Sequence, residues 1–240
     1  IDPLVLATLD LCGIEKIYKI GGAQAIAALT WGTESVENVD IIIGPGNKWV
    51  AEAKKQALSN INIDMLAGPS EILILADENN RADWVAADLL SQAEHDISAQ
   101  AILVTDSENL LENVNKELVS QTKELKRKDI VKKSIAENGY GILVSNINDA
   151  IEIINNIAPE HLSILCKENS QIENKITNAG VIFSDEWTPE SMGDYIIGPS
   201  HILPTNGMAK RQSGLSVYNF LRRQSTISSS KKTIDTLGPS

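Results

Sequence analysis

The sequence has few of the residues that recognise nucleic acids. Four Trp, four Tyr and two Phe are its only aromatic residues, so few side chains are available for bases to stack on. Lys and Arg number 21 against 32 Asp and Glu, which gives a formal net charge of −11. Because a negative potential repels phosphate groups, this balance argues against nucleic acids and anionic membrane surfaces as partners.

Cysteines and long apolar runs are also scarce. Cys12 and Cys166 lie far apart and cannot form a disulfide framework for a chain of this size, which favours a reducing, cytoplasmic compartment. The apolar run at 72–76 is far shorter than the roughly 18 residues of a membrane-spanning helix, so we expect no membrane partner. Asp2-Pro3 already has the pattern of a helix cap and first turn, and we expect the N-terminus to be cut from a longer chain.

Short apolar runs alternate with helical patterns along most of the sequence. Strands are predicted at 16–20, 39–43, 72–76, 101–105, 141–144, 162–165 and 181–183. Helices are predicted at 2–11, 23–29, 47–57, 81–95, 148–157 and 170–178, and a polar helical stretch, basic at 123–133, at 108–134. This alternation predicts parallel βαβ units, hence an open α/β sheet with helices on both faces. Composition places domain boundaries near Pro69 and between Arg211 and Gly214.

The sequence has only three histidines for imidazole chemistry. On the predicted helix at 81–95, Asp88, Gln92 and His95 are spaced four and three residues apart and share one face. A Gln oxygen and a His nitrogen at this spacing can bind one metal ion, but the same spacing occurs in helix caps and surface hydrogen bonds. The pattern alone leaves both interpretations open.

Two further segments carry ionisable groups on predicted loops. Glu160 and His161 lie between a predicted helix and a strand, where an acid and an imidazole could act as two general bases, although a solvent-exposed turn has the same pattern. Asp194 and His201 lie in a stretch rich in Gly and Pro, a type of loop that often approaches ligands. For Asp194, a helix cap is the alternative.

Two glycine turns precede predicted helices. The 44–46 turn (GPG) follows a strand and opens the helix at 47–57, where backbone N–H groups can receive a phosphate. It is only part of a dinucleotide-binding fingerprint, because the third glycine and the downstream acidic residue are missing. The turn at Gly21-Gly22 is equally consistent with a plain strand-to-helix connection.

Taken together, several segments resemble histidinol dehydrogenase, a family of zinc enzymes that carry out the last two oxidations of histidine biosynthesis. The matching segments, in chain order, are 20–29 (IGGAQAIAAL), 44–47 (GPGN), 67–71 (AGPSE), 91–95 (SQAEH), 159–162 (PEHL), 187–190 (WTPE), 193–195 (GDY) and 213–218 (SGLSVY). Eight matches in family order across nearly the whole chain make chance or a shared fold class a poor explanation.

The resemblance implies a role for each matching residue. Zinc would be bound by Gln92, His95 and Asp194, and catalysis would rest on Glu160 and His161. Substrate contacts would come from Ser70 and His201, in addition to the zinc ligands and His161. NAD contacts would come from Gln24 and Asn47.

The resemblance also implies a reaction and a domain organisation. His161 would take the alcohol proton of L-histidinol while a hydride leaves to NAD, and Glu160 would help water attack the resulting histidinal so that a second NAD completes L-histidine. We expect two incomplete Rossmann-like modules with doubly wound parallel sheets. The NAD-side module would span 1–68 and the module with the zinc and catalytic residues 69–212. Residues 213–240 would begin a small C-terminal extension that serves dimerisation.

The sequence departs from the family at both ends. The resemblance implies a homodimer in which a histidine from a C-terminal tail completes the zinc site, but this sequence has no histidine after His201. We therefore expect the 240-residue chain to bind zinc weakly and to turn over poorly or not at all by itself. Two alternatives stay open at this point: a non-catalytic binding or dimerisation fragment of the same family, and a metal-dependent hydrolase in which Glu160 activates water.

Overall fold

A computed structural model describes residues 1–66, 68–167, 169–195 and 197–238, so Ala67 of the 67–71 segment lies outside the described residues. The helices are α1 (Pro3–Leu11), α2 (Gly22–Trp31), α3 (Lys48–Ala57), α4 (Ala82–Ala93), α5 (Glu108–Thr122), α6 (Lys128–Asn138), α7 (Ala150–Ile157), α8 (Asn169–Glu173) and α9 (Lys231–Leu237). The strands are β1 (Ile41–Ile42), β2 (Asn62–Ile63), β3 (Glu71–Ala76), β4 (Gln100–Thr105), β5 (Gly139–Leu143), β6 (His161–Ile164) and β7 (Val181–Ser184).

The larger sheet of the described residues has five parallel strands in the order β5-β4-β3-β6-β7. The chain starts in the middle with β3, runs out to β5 at one edge, and then returns to β6 beside β3 before reaching the other edge. Counted from β3 along the chain, this is the order 3-2-1-4-5, which is the doubly wound Rossmann order without its sixth strand. It confirms the predicted α/β class with a parallel sheet.

Helices cover both faces of this sheet, as predicted. Alternate residues of β3 point to opposite faces, because the side-chain period of a strand is two. Ile72 and Ile74 belong to one core cluster with residues of α4 and α5. Leu73 and Leu75 belong to a second cluster with residues of α7 and α8. Every residue of β3 is therefore buried, as expected of a central strand in a parallel sheet.

The first part of the chain forms a smaller unit. Strands β1 and β2 form a two-stranded parallel sheet, and α2 and α3 pack against it around Ile26, Ile42, Ala57 and Ile61. The strand predicted at 16–20 is wrong: this segment is exposed and forms no ladder among the described residues. A period-2 apolar pattern becomes a strand only where a neighbouring strand supplies hydrogen bonds.

Several predicted boundaries are shifted. The polar stretch at 108–134 is two helices, α5 and α6, and the helix predicted at 170–178 ends at Glu173. Strand β2 was not predicted, because two residues are too short to show a period. Among the described helices, none is long and apolar enough to cross a membrane.

Candidate active site

The ionisable groups predicted on loops converge at the amino end of the large sheet. Glu71 is the first residue of β3, and His161 is the first residue of the neighbouring β6. Helix α7 ends at Ile157, and its C-cap Ala158 adopts a left-handed conformation with φ of 54°. This sharp stop brings Glu160 to the start of β6. Because β3 and β6 pair in parallel, with Ile72 opposite His161, their first residues lie side by side.

Glu71 and Glu160 hold each other by reciprocal hydrogen bonds. The N–H of Glu71 donates to Oε2 of Glu160 at 2.9 Å, and the N–H of Glu160 donates to Oε2 of Glu71 at 3.3 Å. Oε1 of Glu71 accepts a third bond, from the N–H of Asn206 at 2.8 Å. Each carboxylate therefore satisfies a backbone donor at the end of a strand, where the sheet ladder leaves such groups unpaired.

Burial raises the pKa of both carboxyl groups. The pKa of Glu160 is raised to about 8, mainly by burial, and the neighbouring charges of Glu71, Glu190 and Asp194 act in the same direction. Burial also raises the pKa of Glu71, against the opposing effect of its backbone hydrogen bonds. A carboxylate that resists losing its proton is a stronger base once ionised, so Glu160 has the property expected of a general base.

His161 is buried and its tautomer is set by the backbone. Nδ1 lies 2.8 Å from the carbonyl oxygen of Glu71, and a carbonyl can only accept, so Nδ1 carries the proton of the neutral ring. Nε2 is therefore left with a lone pair. Burial lowers the pKa of His161, which keeps the ring neutral and able to accept a proton.

Helix α4 directs a polar face at the same end of the sheet. Asp88, Gln92 and His95 share the predicted face, with Gln92 almost completely buried and His95 exposed just beyond the last turn. Oε1 of Gln92 is buried and has no hydrogen-bond partner among the described residues. A buried carbonyl oxygen without a partner is costly, so this atom is suited to a ligand such as a metal ion.

A short turn places a third buried carboxylate beside the histidine. Glu190 begins the 3-10 turn Glu190–Met192, and its Oε1 lies 3.7 Å from Nε2 of His161. Burial raises the pKa of Glu190 to about 7. The preceding Trp187 contacts Trp84 of α4 edge to face, with ring centroids 5.4 Å apart, and so helps to hold this turn against α4.

One cavity of about 480 Å³ connects these groups. The seven residues predicted to bind metal or substrate or to act in catalysis all line it: Ser70, Gln92, His95, Glu160, His161, Asp194 and His201. Sequence reasoning had them on separate elements, and the fold brings all seven together. Whether each performs its predicted role stays a prediction.

The smaller unit supplies another wall of the cavity through the turn at 44–46. Gly44 has φ of +124°, a conformation that favours glycine, and its N–H donates to Oδ2 of Asp64 at 2.8 Å. Buried Lys54 donates to the Gly44 carbonyl oxygen at 2.6 Å and to Oδ1 of Asp64 at 2.7 Å. This ion pair fixes the glycine turn at the mouth of the site.

The two residues predicted to contact NAD lie apart from the cavity lining. Gln24 is exposed on α2, and Asn47 is exposed as the N-cap of α3, where its Oδ1 accepts from the N–H groups of Trp49 and Val50. Asn47 directly follows the 44–46 turn that does line the cavity. A cofactor at Asn47 would therefore reach the site over this turn.

The predicted metal ligands are few, but their donor atoms are of types that bind a cation. Among the described residues, no group of three or more His, Cys, Asp or Glu side chains is arranged to hold a metal. The predicted set is one imidazole, one carboxylate and the orphaned amide oxygen of Gln92, a mixed N and O set that zinc accepts. These residues fit the ion, and its binding stays a prediction.

Sequence reasoning assigned no role to Glu71 or Glu190, although both lie in segments that it singled out. Glu71 directly precedes the continuous apolar run of β3, and a carboxylate at the first position of a buried strand is a signal that could have been used. Glu190 shows no such signal, because its burial arises from the packing of the 187–190 segment on α4.

The sequence comparisons point to one family. A sequence model described as histidinol dehydrogenase matches residues 1–240. The histidinol dehydrogenase of Wolinella succinogenes is 51% identical over 237 residues, covering 99% of this chain and 55% of that protein. That of Lactococcus lactis is 51% identical over 222 residues, covering 92% of this chain and 52% of that protein.

A solved structure agrees with these sequences. The crystal structure of histidinol dehydrogenase from Elizabethkingia anophelis superposes with a TM-score of 0.94 at 43% sequence identity, covering all of this chain and 55% of that one. The chain thus spans about half the length of the relatives that it matches. The match of the family model over the whole sequence and the shared fold show that the chain belongs to the histidinol dehydrogenase family.

Proposed function

We propose that this chain carries the metal, substrate and catalytic residues of an enzyme that oxidises L-histidinol to L-histidine through histidinal, using two NAD, in the last steps of histidine biosynthesis. The observation that carries the proposal is the single cavity lined by all seven predicted residues, with Glu160 and His161 buried at its base. Family membership supports the substrate and the reaction class.

His161 is the base of the first oxidation. Its Nε2 has the lone pair and its Nδ1 is held by the Glu71 carbonyl oxygen, so the ring cannot turn without losing that hydrogen bond. Nε2 takes the hydroxyl proton of the alcohol as the hydride leaves to NAD, which produces the aldehyde. The low pKa that burial gives His161 keeps this base neutral at physiological pH.

Glu160 serves the second oxidation. The aldehyde must add water before a second hydride can leave, and a carboxylate of raised pKa can remove a proton from that water. Glu160 and His161 are adjacent in sequence and line the same cavity, so one bound substrate can meet both. The reactive aldehyde then stays in one site through both steps.

The metal would be held by Gln92, His95 and Asp194. Zinc, when bound, supplies a positive charge that orients the imidazole and amine of the substrate. Ser70 and His201, which line the same cavity, would also contact the substrate.

The remaining assignments concern the division of the chain into modules, its assembly and its location. We propose that residues 1–68 form the NAD side with Gln24 and Asn47, that 69–212 form the catalytic module, and that 213–240 begin a dimerisation extension. A homodimer and a cytoplasmic location belong to the same proposal. The exposed apolar residues at 217–221 fit a segment that packs against further protein.

The test combines metal content with turnover. We would measure zinc per chain by elemental analysis and NADH formation with L-histidinol on the same sample. We expect weak zinc binding and slow NADH formation, as predicted from the sequence, and expect a chelator to abolish both. Gln92→Met, which removes the orphaned oxygen at similar volume, should lose zinc. Gln121→Met on α5, whose amide donates to the Asp83 carbonyl oxygen, is the matched control and should keep it.

The outcomes separate the alternatives. Zinc and NADH together would support the proposal for this chain, and a high rate of NADH formation would contradict the expectation that the chain turns over poorly. Zinc and histidinol binding without NADH would identify a binding module and overturn turnover by this chain. Product release from an ester or amide without NAD would indicate a hydrolase.

A further inference from the structure

One buried carboxylate in the cavity has no part in the proposed reaction. Glu190 is 2% exposed, and its two oxygens face two different groups. Oε1 lies 3.7 Å from Nε2 of His161, and Oε2 accepts a hydrogen bond from Oγ of Ser91 at 3.2 Å. A carboxylate is removed from water at a high free-energy cost, so its position at the reactive nitrogen calls for an explanation.

The Glu190 carboxylate lies beside Nε2, one of the two ring nitrogens of His161. Nδ1 of His161 is occupied by the Glu71 carbonyl oxygen, so any proton that the ring gains must arrive at Nε2. Glu190 is the carboxylate recorded at that nitrogen in the described structure, while Oε2 of Glu160 lies 3.7 Å from Nδ1. The two catalytic-site glutamates therefore face opposite sides of the ring.

The turn that carries Glu190 is held in place independently of the histidine. The backbone N–H of Glu190 faces the carboxylate of Asp88 and lowers its pKa, against the effect of burial, and Ser91 lies one turn further along α4. Trp187 packs on Trp84 just before the turn. Three contacts with one helix thus fix the carboxylate, which is the arrangement expected of a positioned group rather than a mobile loop residue.

We infer that Glu190 is a positioning residue for His161, and that the two side chains accept the substrate proton as one unit. The inference rests on the proposed function for the reaction in which the unit works. When the O–H bond of the alcohol breaks, its proton goes to Nε2 as the hydride leaves to NAD, and the imidazolium forms beside the Glu190 carboxylate. The proton then passes to Oε1 of Glu190, which returns His161 to the neutral form.

This arrangement solves a problem set by two consecutive oxidations. His161 takes the proton of the first oxidation while the substrate stays bound for the second, so the imidazole must pass that proton to another group before it can act again. Burial raises the pKa of Glu190 to about 7, so it can hold the proton near neutral pH and later release it to solvent. Glu160 is then left free to act on the water.

An experiment must separate the titration of Glu190 from that of the other charged groups near the His161 ring. Those that face His161 or Glu190 are Glu71, Glu160, Asp194, Asp88, His95 and His201. Since the chain has only three histidines, isotope labelling of histidine yields three sets of ring signals, and His161 can be assigned with a His161→Gln variant.

The test is an NMR titration of the ring nitrogens in the full, metal-free chain. The titration uses a Glu160→Gln background, because Oε2 of Glu160 lies 3.7 Å from Nδ1 of His161 and its pKa of about 8 would add a further step. We expect Nε2 of His161 to report two protonation steps, its own and a second with a midpoint near pH 7 that arises from Glu190. Glu190→Gln should remove the second step. Glu186→Gln, an exposed substitution of the same chemistry on the same segment, should keep both.

A second variant covers the case in which Glu190→Gln does not fold. Ser91→Ala keeps the carboxylate and removes a hydrogen bond that lowers its pKa, so the second step should move to higher pH. A second step that persists in Glu190→Gln, or that stays in place in Ser91→Ala, would overturn the inference.

Kinetics separate this inference from the proposed function. In protein that forms NADH from histidinol, Glu190→Gln should lower kcat roughly 10- to 100-fold with KM changed less than about threefold, because the substrate is bound by other groups. A chain without NADH formation whose second step is lost in Glu190→Gln would contradict the proposed function alone. NADH formation unchanged by Glu190→Gln would contradict the inference alone.

Discussion

Both ends of the five-stranded sheet carry acidic side chains, but the two ends differ in how far these side chains are exposed to solvent. At the carboxyl end, Asp77, Glu78 and Asp106 line a crevice of about 550 Å³, where Glu78 and Asp106 are exposed. At the amino end, Glu160 and Glu190 are buried against an imidazole in a cavity of similar size. The difference is therefore one of solvation and not of charge.

The strand order alone would predict a ligand-binding site at the carboxyl end of the sheet. In open α/β sheets, ligands usually bind outside the carboxyl ends of the strands where the strand order reverses, which here is the crevice beside β3 and β6. The turn after β3, at 77–81, has no glycine and carries two carboxylates, so it offers no cradle for a phosphate. The candidate site proposed here follows the buried ionisable groups rather than the strand-order rule.

The largest effect is expected from the imidazole at the amino end. His161→Gln should lower oxidation of histidinol by roughly 10²- to 10⁴-fold, because the base for the hydroxyl proton is lost. Asp106→Asn at the carboxyl end should change the rate less than about twofold. Both rates would be measured as NADH formation under saturating substrate, and similar losses in the two variants would remove the distinction between the two ends.

A second substitution separates the roles proposed for the two catalytic residues at the amino end, Glu160 and His161. Glu160→Gln should lower oxidation of histidinal by roughly 10²-fold while it spares oxidation of histidinol, since only the aldehyde needs an activated water. The two half-reactions would be followed separately, starting from the alcohol or from the aldehyde. Equal damage to both half-reactions by Glu160→Gln and by His161→Gln would contradict the division of labour.

The sequence predicted the large sheet well because its strands are strongly marked. The continuous apolar run of β3 and the alternating helical patterns on either side are properties of the chain alone. The strand predicted at 16–20 was wrong because a strand also needs a partner, which no local pattern reveals. Strand β2 was missed because its two residues are too few to show a periodic pattern, although it does pair with β1.

The candidate site was predictable in its membership but not in its arrangement. His161 and Glu160 could be named from the motif at 159–162, yet nothing in the sequence places Nδ1 against the Glu71 carbonyl oxygen. That contact requires β3 and β6 to be neighbours, although about 90 residues separate them along the chain. The contact between Glu190 and His161 could not be predicted for the same reason.

The amino end should also be sensitive to its backbone packing. A Cβ added at Gly180 would lie 2.5 Å from the carbonyl oxygen of Glu160, which is backbone and cannot move aside. Gly180→Ala should therefore lower the free energy of unfolding by about 1–3 kcal/mol and disturb the catalytic pair. Urea titration would measure this. Gly21→Ala, where a Cβ meets nothing within 4 Å and φ is −147°, is the control and should cost less.

The buried carboxylates make stability depend on pH in a defined direction. The pKa of Glu160 is about 8 in the folded chain against an ordinary value of 4.5, so the folded state holds a proton that the unfolded state has already lost. Between pH 7 and 8 the free energy of unfolding of the metal-free chain should fall by about 1 kcal/mol as pH rises. Glu160→Gln should flatten this slope, and an equal slope in the variant would assign it to another group.

The smallest effect is expected where the same type of side chain is solvated. Asp77 accepts hydrogen bonds from the N–H of Asn79 at 2.8 Å and of Lys167 at 3.3 Å, so it stabilises the turn after β3. Asp77→Ala should lower the free energy of unfolding by about 0.5–1 kcal/mol, because water can replace a carboxylate at the protein surface. Its rate of NADH formation should stay within about twofold of the unsubstituted chain. A loss of rate approaching that of His161→Gln would mean that the carboxyl end also takes part in binding, and burial would then no longer distinguish the two ends.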